Sequence, residues 1–270
     1  MNNENSLRSL SEFYKTDKLE HGYIDIYDSY FKELKDKQLK IIEIGIADGK
    51  SLLTWADYFK NSTIIGIDIH KIDILEKRLD KPNIEIHQGS QSDDIFIHKI
   101  IKKYGSFDII IDDGSHLTKD VKKSFHLLFP YLKNGGIYVV EDMQTSYNHF
   151  FGGNPFDLKY SKSHMNFFKD LTDRLNYQEI ANPFYITNKY DSQITNISFY
   201  HNLVFIIKGV NEIKSKEVLN HSYEDMKFQE KSKRTGKVLR YYFKYKIFYK
   251  TYTYFLFILS TVKKLLLFRF

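Results

Sequence analysis

Five short apolar runs, at Leu39–Ile44, Thr63–Asp68, Ile84–Gln88, Phe107–Asp112 and Ile137–Glu141, restrict the fold of this chain more than any other feature. Runs this short, bounded by Gly and charge, read as strands covered on both faces. Helix-compatible segments separate them, at Lys50–Phe59, Lys71–Leu79, Asp93–Tyr104 and Lys119–Leu132. Such alternation predicts βαβ units and a doubly wound, mostly parallel α/β sheet. Residues 7–37 read as helical, with a loop near Thr16–Gly22. After the alternating part, Thr145–Asn154 reads as a mobile loop over the site. Ile194–Phe199 and Leu203–Lys208 then read as a hairpin turning at Tyr200-His201-Asn202. No repeat or low-complexity linker interrupts this, so residues 1–210 are expected to form one domain, followed by a tail over 211–270.

Two of these strands end in paired carboxylates, Asp112-Asp113 and Glu141-Asp142. Neighbouring parallel strands present their carboxyl ends on one edge, where open α/β sheets bind ligands. Four carboxylates crowded there would repel one another unless a divalent cation sat among them, and an all-oxygen set suits Mg, Ca or Mn. The alternative is solvated strand ends or helix caps, where Asp is common. The sequence has no Cys, which excludes thiolate zinc sites, disulfides and cysteine nucleophiles.

The first βα turn, Glu43-Ile44-Gly45-Ile46-Ala47-Asp48-Gly49-Lys50-Ser51, puts Gly45 and Gly49 ahead of a helix N-terminus, where backbone can approach a ligand. It has neither P-loop spacing nor the Gly-x-Gly-x-x-Gly dinucleotide fingerprint. Asp68, ending the second strand, is placed for the two hydroxyls of a ribose. The third strand leads into Gly89-Ser90-Gln91-Ser92-Asp93, where Ser90, Gln91 and Asp93 suit an adenine edge. Glu43 is placed to hold an amino group. A ligand with an amino-acid end, a ribose and an adenine is S-adenosyl-L-methionine.

These segments, together with Tyr14-Lys15-Thr16-Asp17-Lys18, His21-Gly22-Tyr23, Ile111-Asp112-Asp113-Gly114-Ser115-His116 and Glu141-Asp142-Met143-Gln144-Thr145-Ser146-Tyr147, give the chain a family likeness. Over residues 12–208 it resembles the Mg-dependent sugar O-methyltransferases typified by the macrocin and mycinamicin enzymes. Cephalosporin hydroxylase-like proteins share much of the pattern. The resemblance implies a class I, Rossmann-like methyltransferase fold with a seven-stranded sheet, and bound S-adenosyl-L-methionine with Mg2+ or another divalent cation. It also implies methyl transfer to a hydroxyl of a glycan or sugar-containing small molecule.

In that scheme Asp113, Glu141 and Asp142 are metal ligands, and Asp112 is a fourth ligand or a cofactor contact. Tyr14, Thr16 and Lys18 belong to a loop packed over the cofactor, with helix capping as the alternative for Thr16 and Asp17. The family uses a late His as base. His201 matches it if the strand before it runs parallel to the others, and His116, three residues after Asp113, is the competitor. Trp55, at an apolar helical position, reads as core.

Charge divides the chain. Residues 1–210 carry 26 basic and 29 acidic side chains, and residues 211–270 carry 14 and 5. From Lys231 to Phe270 there are 11 basic residues and no acidic one, interleaved with Tyr and Phe. The uncharged stretch Thr251–Val262 is too short for a membrane span. Basic residues beside aromatic and Leu clusters suit a helical segment lying on anionic lipid. Packing on the domain or on a partner subunit of a homo-oligomer, and binding of nucleic acid through charge and stacking, are the rival readings. The start, Met1-Asn2-Asn3-Glu4-Asn5, has no signal-peptide pattern.

A cytoplasmic enzyme, peripheral on the inner face of the membrane, is therefore expected, and surface-polysaccharide biosynthesis fits that placement. RNA methylation is disfavoured because the site-bearing part is acidic, so nucleic acid is not an expected partner. Intact carboxylates argue against a non-catalytic scaffold, and the all-carboxylate cluster argues against a hydroxylase with His-bound iron.

Overall fold

A computed structural model describes residues 5–70, 79–180 and 185–212. Most of the Lys71–Leu79 helix and the basic tail, including the segment 231–270 expected to meet lipid, lie outside the described residues. The chain divides into two units, one of Met1–Tyr177 with Asn188–Glu212 and one of Gln178–Thr187 with Ile213–Phe270. The first contains the sheet.

Strands β1 (Lys40–Ile44), β2 (Thr63–Asp68), β3 (Ile84–Gln88), β4 (Phe107–Asp112), β5 (Leu132–Val140), β6 (Ile194–Tyr200) and β7 (Leu203–Lys208) form one sheet, in the order β3-β2-β1-β4-β5-β7-β6. The five strands β1–β5 are mutually parallel. β7 is antiparallel to both β5 and β6, so β6 runs with the parallel set and its hairpin turns at their carboxyl edge. This is the expected doubly wound, mostly parallel seven-stranded sheet, with strand order reversing between β1 and β4.

Helices α1 (Leu7–Tyr14), α2 (Asp17–Glu20), α3 (Ile24–Phe31) and α4 (Lys50–Tyr58) precede and follow β1. Helices α5 (Asp94–Tyr104), α6 (Thr118–Leu128) and α7 (His164–Leu175) come later in the chain. Ile97, Ile100, Ile101 and Tyr104 recur at helical spacing along α5 and join Phe125 and Phe168 on one side of the sheet. Leu7, Leu10, Tyr27, Phe31 and Trp55 cover the other side.

Strand alternation decides which side chain meets which layer. Ile42, Ile44, Ile110, Tyr138 and Val140 face α5–α7, whereas Ile41, Ile109, Ile111, Ile137 and Val139 face α1, α3 and α4. Register pairs Ile44 with Asp112 and Asp112 with Val140. One residue further, the Asp113 N–H donates to the Ile44 carbonyl at 2.9 Å and the Glu141 N–H to the Asp112 carbonyl at 3.0 Å. Parity therefore sends Glu43, Asp113 and Glu141 to the α1–α4 side and Asp112 to the α5–α7 side.

Several features differ from the sequence reading, among them β5, which begins at Leu132 rather than Ile137. Residues Asp17–Glu20 wind into a short helix inside the expected loop. The helix expected to reach Leu132 stops at Leu128, before a 3-10 turn over Phe129–Tyr131 that contains Pro130. The Thr145–Asn154 loop is a hydrogen-bonded turn, with Thr145 and Ser146 buried and the Asn154 N–H on the Ser146 carbonyl at 3.1 Å.

Candidate active site

At the carboxyl edge, Lys18 reaches across from α2 into the carboxylates that parity gathers. Its Nζ lies 2.6 Å from Asp113 Oδ2, 2.7 Å from Glu141 Oε1 and 3.1 Å from Glu43 Oε1. Lys18 is 1% exposed and Glu43 fully buried. Burial opposes the charge on Lys18, but Asp113, Glu141 and Glu43 outweigh it and hold its pKa well above the usual lysine value. Glu43 Oε2 accepts from Trp55 Nε1 at 3.0 Å, so Trp55 is core and also a support for the cluster. Tyr27 of α3 and Tyr23 at its N-cap complete it. Tyr27 OH donates to Glu141 Oε1 at 2.5 Å and Tyr23 OH to Asp142 Oδ1 at 2.9 Å.

Asp142 and His116 form the outer, half-buried part. His116 Nε2 is 3.7 Å from Asp142 Oδ2. Both residues take left-handed backbone, at φ +54° for His116 and +53° for Asp142. For non-glycine residues that conformation costs about 1–2 kcal/mol each, and such strain concentrates at functional sites. Asp113, His116 and Asp142 offer donor atoms within 4.8 Å of one another, as do Glu43, Asp113 and Glu141. Carboxylate oxygens of this kind suit a hard divalent cation, with Glu141 and Asp142 in different groups that share Asp113.

His201 lies at the tip of the β6–β7 hairpin with its side chain exposed. The hairpin meets the site instead through the Asn202 carbonyl, which accepts from the Met143 N–H at 3.1 Å and from Tyr23 OH at 3.4 Å.

Beside the carboxylates, a cavity of about 200 Å³ is lined by Gly45, Asp68, Ser90, Gln91, Gly114 and Ser115, among others. Asp68 is fixed across the turn, accepting from the Ile46 N–H on Oδ2 and the His70 N–H on Oδ1, both at 2.8 Å. Gly45, at φ +86°, is obligatory, because a methyl there would overlap the Asp113 carbonyl. An acidic residue and glycine backbone on one cavity fit the ribose and amino-acid portions of the expected cofactor.

Several expected cofactor contacts have other partners. Glu43 is occupied by Lys18 and Trp55, and Lys18 by carboxylates, so neither lines the cavity. Tyr14 OH donates to Asp57 and accepts from Lys81. Asp93 Oδ1 caps α5, accepting from the Ile95 and Phe96 N–H groups at 2.8 and 3.2 Å. Thr16 is buried ahead of α2, and Gly49, at φ +81°, is the N-cap of α4.

Gln91 lines the cavity but spends its amide on the protein. Its Oε1 accepts from the Ser115 N–H at 2.7 Å and its Nε2 donates to Asp112 Oδ1 at 3.0 Å. Asp112 is accordingly not the fourth member of a carboxylate crowd. It is 1% exposed and also accepts from Ser124 and Tyr138; burial, opposed by those bonds, pushes its pKa up to about 7. Tyr23 and Tyr27 escaped the sequence reading as carboxylate partners, although their spacing of four on an apolar helix was visible.

A doubly wound seven-stranded sheet, with this cavity beside its strand-order reversal, defines a class I methyltransferase domain. Residues 42–143 match a family model described as "Methyltransferase domain". The chain is 35% identical over 216 residues to the mycinamicin VI 2''-O-methyltransferase of Micromonospora griseorubida, covering 76% of this chain and 53% of that protein. It is also 35% identical over 199 residues to the demethylmacrocin O-methyltransferase of Streptomyces fradiae, covering 71% of this chain and 49% of that one. The solved structure of the MycE methyltransferase from mycinamycin biosynthesis, in complex with Mg and SAH, superposes with a TM-score of 0.74 at 34% identity. The match covers 79% of this chain and 57% of that one. The chain belongs to the class I methyltransferase family that contains these sugar O-methyltransferases. It spans about half the length of the curated relatives it matches.

Proposed function

We propose that this chain transfers a methyl group from S-adenosyl-L-methionine to a sugar hydroxyl with the help of a divalent cation. The observation that carries the reading is that Asp113 meets His116 and Asp142 in one group, and Glu141 and Glu43 in another, on the sheet edge that also bounds the Gly45–Asp68 cavity. The family relatives, named for macrolide sugar methylation, support the same chemistry.

Asp113, Glu141 and Asp142 hold the cation in this scheme; when bound, such an ion lowers the pKa of a coordinated hydroxyl and orients it. Asp68 receives the ribose hydroxyls of the methyl donor, and the backbone at Gly45 lets its amino-acid end approach. His116 Nε2 takes the hydroxyl proton as the acceptor oxygen bonds to the methyl carbon and the carbon–sulfur bond breaks, its electrons passing to sulfur. Asp142 is placed to stabilise the imidazolium that results. His116 is preferred to His201 as base because it lies among the carboxylates, whereas the His201 side chain projects from the hairpin tip.

The acceptor is read as a sugar-bearing molecule. A surface polysaccharide, with attachment to anionic membrane through residues 231–270, is the finer form of the proposal and is supported by the composition of that tail. No helix among the described residues is long and apolar enough to cross a membrane.

The test is transfer from methyl-labelled S-adenosyl-L-methionine to a panel of polyketide glycosides and polysaccharide sugars, with Mg2+ and then with chelator. Metal-dependent labelling of a sugar hydroxyl is expected. Donor binding with labelling indifferent to chelator would overturn the metal role, and failure to bind the donor would overturn the whole reading.

A further inference from the structure

A lysine at the centre of a proposed metal site calls for a reason. Glu43 and Glu141 are buried and Asp113 partly so, and carboxylates crowded with so little solvent are costly without a compensating cation. Lys18 supplies the compensation at 2.6, 2.7 and 3.1 Å from Asp113, Glu141 and Glu43. Glu43 Oε1 is buried without an aligned hydrogen-bond donor and lies 3.1 Å from the ammonium.

Lys18 is also held from behind. Its carbonyl accepts from the Tyr23 N–H at 2.9 Å, and the same segment delivers Tyr23 to Asp142 and Tyr27 to Glu141.

We propose that Lys18 is a built-in cation that keeps the metal-binding carboxylates assembled before the divalent ion arrives and, by sharing two of its ligands, weakens that ion's binding. The inference rests on Asp113, Glu141 and Asp142 being the metal ligands. Asp113 belongs to both donor groups, the inner one with Glu43 and Glu141 and the outer one with His116 and Asp142. With an ammonium seated among Glu43, Asp113 and Glu141, the chain takes one divalent ion, which competes with it for Asp113 and Glu141 and leaves His116 free as the base. Like charges that share carboxylates repel, so removing the ammonium leaves the ion a more negative site. Lysine suits the task as a compact point charge, which a planar guanidinium is not.

The experiment is titration of Mn2+ into the full-length protein, followed by electron paramagnetic resonance, for wild type, Lys18→Met and Lys18→Gln. Calorimetric binding of S-adenosyl-L-methionine and thermal unfolding with and without Mn2+ accompany it. Wild type is expected to bind one Mn2+. Both variants should bind Mn2+ at least tenfold more tightly, gain more thermal stability from it, and keep donor affinity within twofold. Variants that fold only when Mn2+ is present would support the proposal, since the ion then stands in for the ammonium. Equal or weaker Mn2+ binding in both variants, or failure to fold even with Mn2+, would overturn it. A wild type that binds the donor but no Mn2+ would remove the metal reading itself, and this inference with it.

Discussion

Asp112 and Asp113 are neighbours in sequence and opposites in the structure. Asp112 points toward α5–α7, where Gln91, Ser124 and Tyr138 donate to it and burial pushes its pKa up to about 7. Asp113 points toward α1–α4, beside Lys18 and the half-open side of the site. A strand end with two adjacent carboxylates is therefore not one chemical unit; alternation sends one into a hydrogen-bonded network and the other into the charged cluster.

The second pair behaves differently. Glu141 follows Val140 on the α1–α4 side, and the left-handed backbone at Asp142 ends the alternation and places that residue near Tyr23 and His116. Both members of this pair stay at the site. One face of the carboxyl edge thus holds Asp112 in a web of hydrogen bonds from Gln91, Ser124 and Tyr138, and the other a charged cluster.

The sharpest challenge to that division concerns the base. His116→Ala should lower kcat/KM by about 10²- to 10⁴-fold, whereas His201→Ala should leave it within twofold. The reverse pattern would move the base to the hairpin.

The α5–α7 face should instead report through stability. His164 is fully buried, bonded to Thr118 at 2.8 Å, and its pKa is lowered to about 4 by burial, with repulsion from His116 and Lys122 adding to it. With a depressed folded value, its contribution is complete above the unfolded value of 6.5 and is lost as pH falls toward 4. That span amounts to about 3 kcal/mol. Urea unfolding across that range should show the loss in wild type and a correspondingly flatter profile in His164→Gln. Equal slopes would refute the assignment.

The smallest effect belongs to Trp55. Trp55→Phe removes the bond to Glu43 Oε2 and should cost about 1–3 kcal/mol of unfolding free energy, by the penalty for an orphaned buried acceptor. Mn2+ affinity should change little, because Lys18 still holds the cluster. A large loss of metal binding would show that the indole, and not the ammonium, organises the carboxylates.

Much of this edge was readable in the sequence. The apolar runs gave the strands, and Ile41-x-Glu43, Ile111-x-Asp113 and Val139-x-Glu141 share one parity, so their common face followed from alternation alone. Asp112 falls out of step by the same rule, which the sequence reading of four crowded carboxylates passed over. Tyr23 and Tyr27, four apart at the start of α3, could have been paired with the site by helical spacing.

Other features have no local signature. Lys18 meets partners 95 and 123 residues away, and no pattern near it announces either. The left-handed turns at His116 and Asp142 depend on packing at the sheet edge. Asp93 and Tyr14 look equally apt for a ligand or for capping and packing, and only the folded chain shows which use each has.

The measurement that bears most directly on the account is Mn2+ binding, by electron paramagnetic resonance, to Asp113→Asn and Asp112→Asn at neutral pH. The account predicts that Asp113→Asn loses the ion while Asp112→Asn binds it within twofold of wild type. Retention by Asp113→Asn together with loss in Asp112→Asn would place the metal on the wrong face of the sheet and contradict the site described.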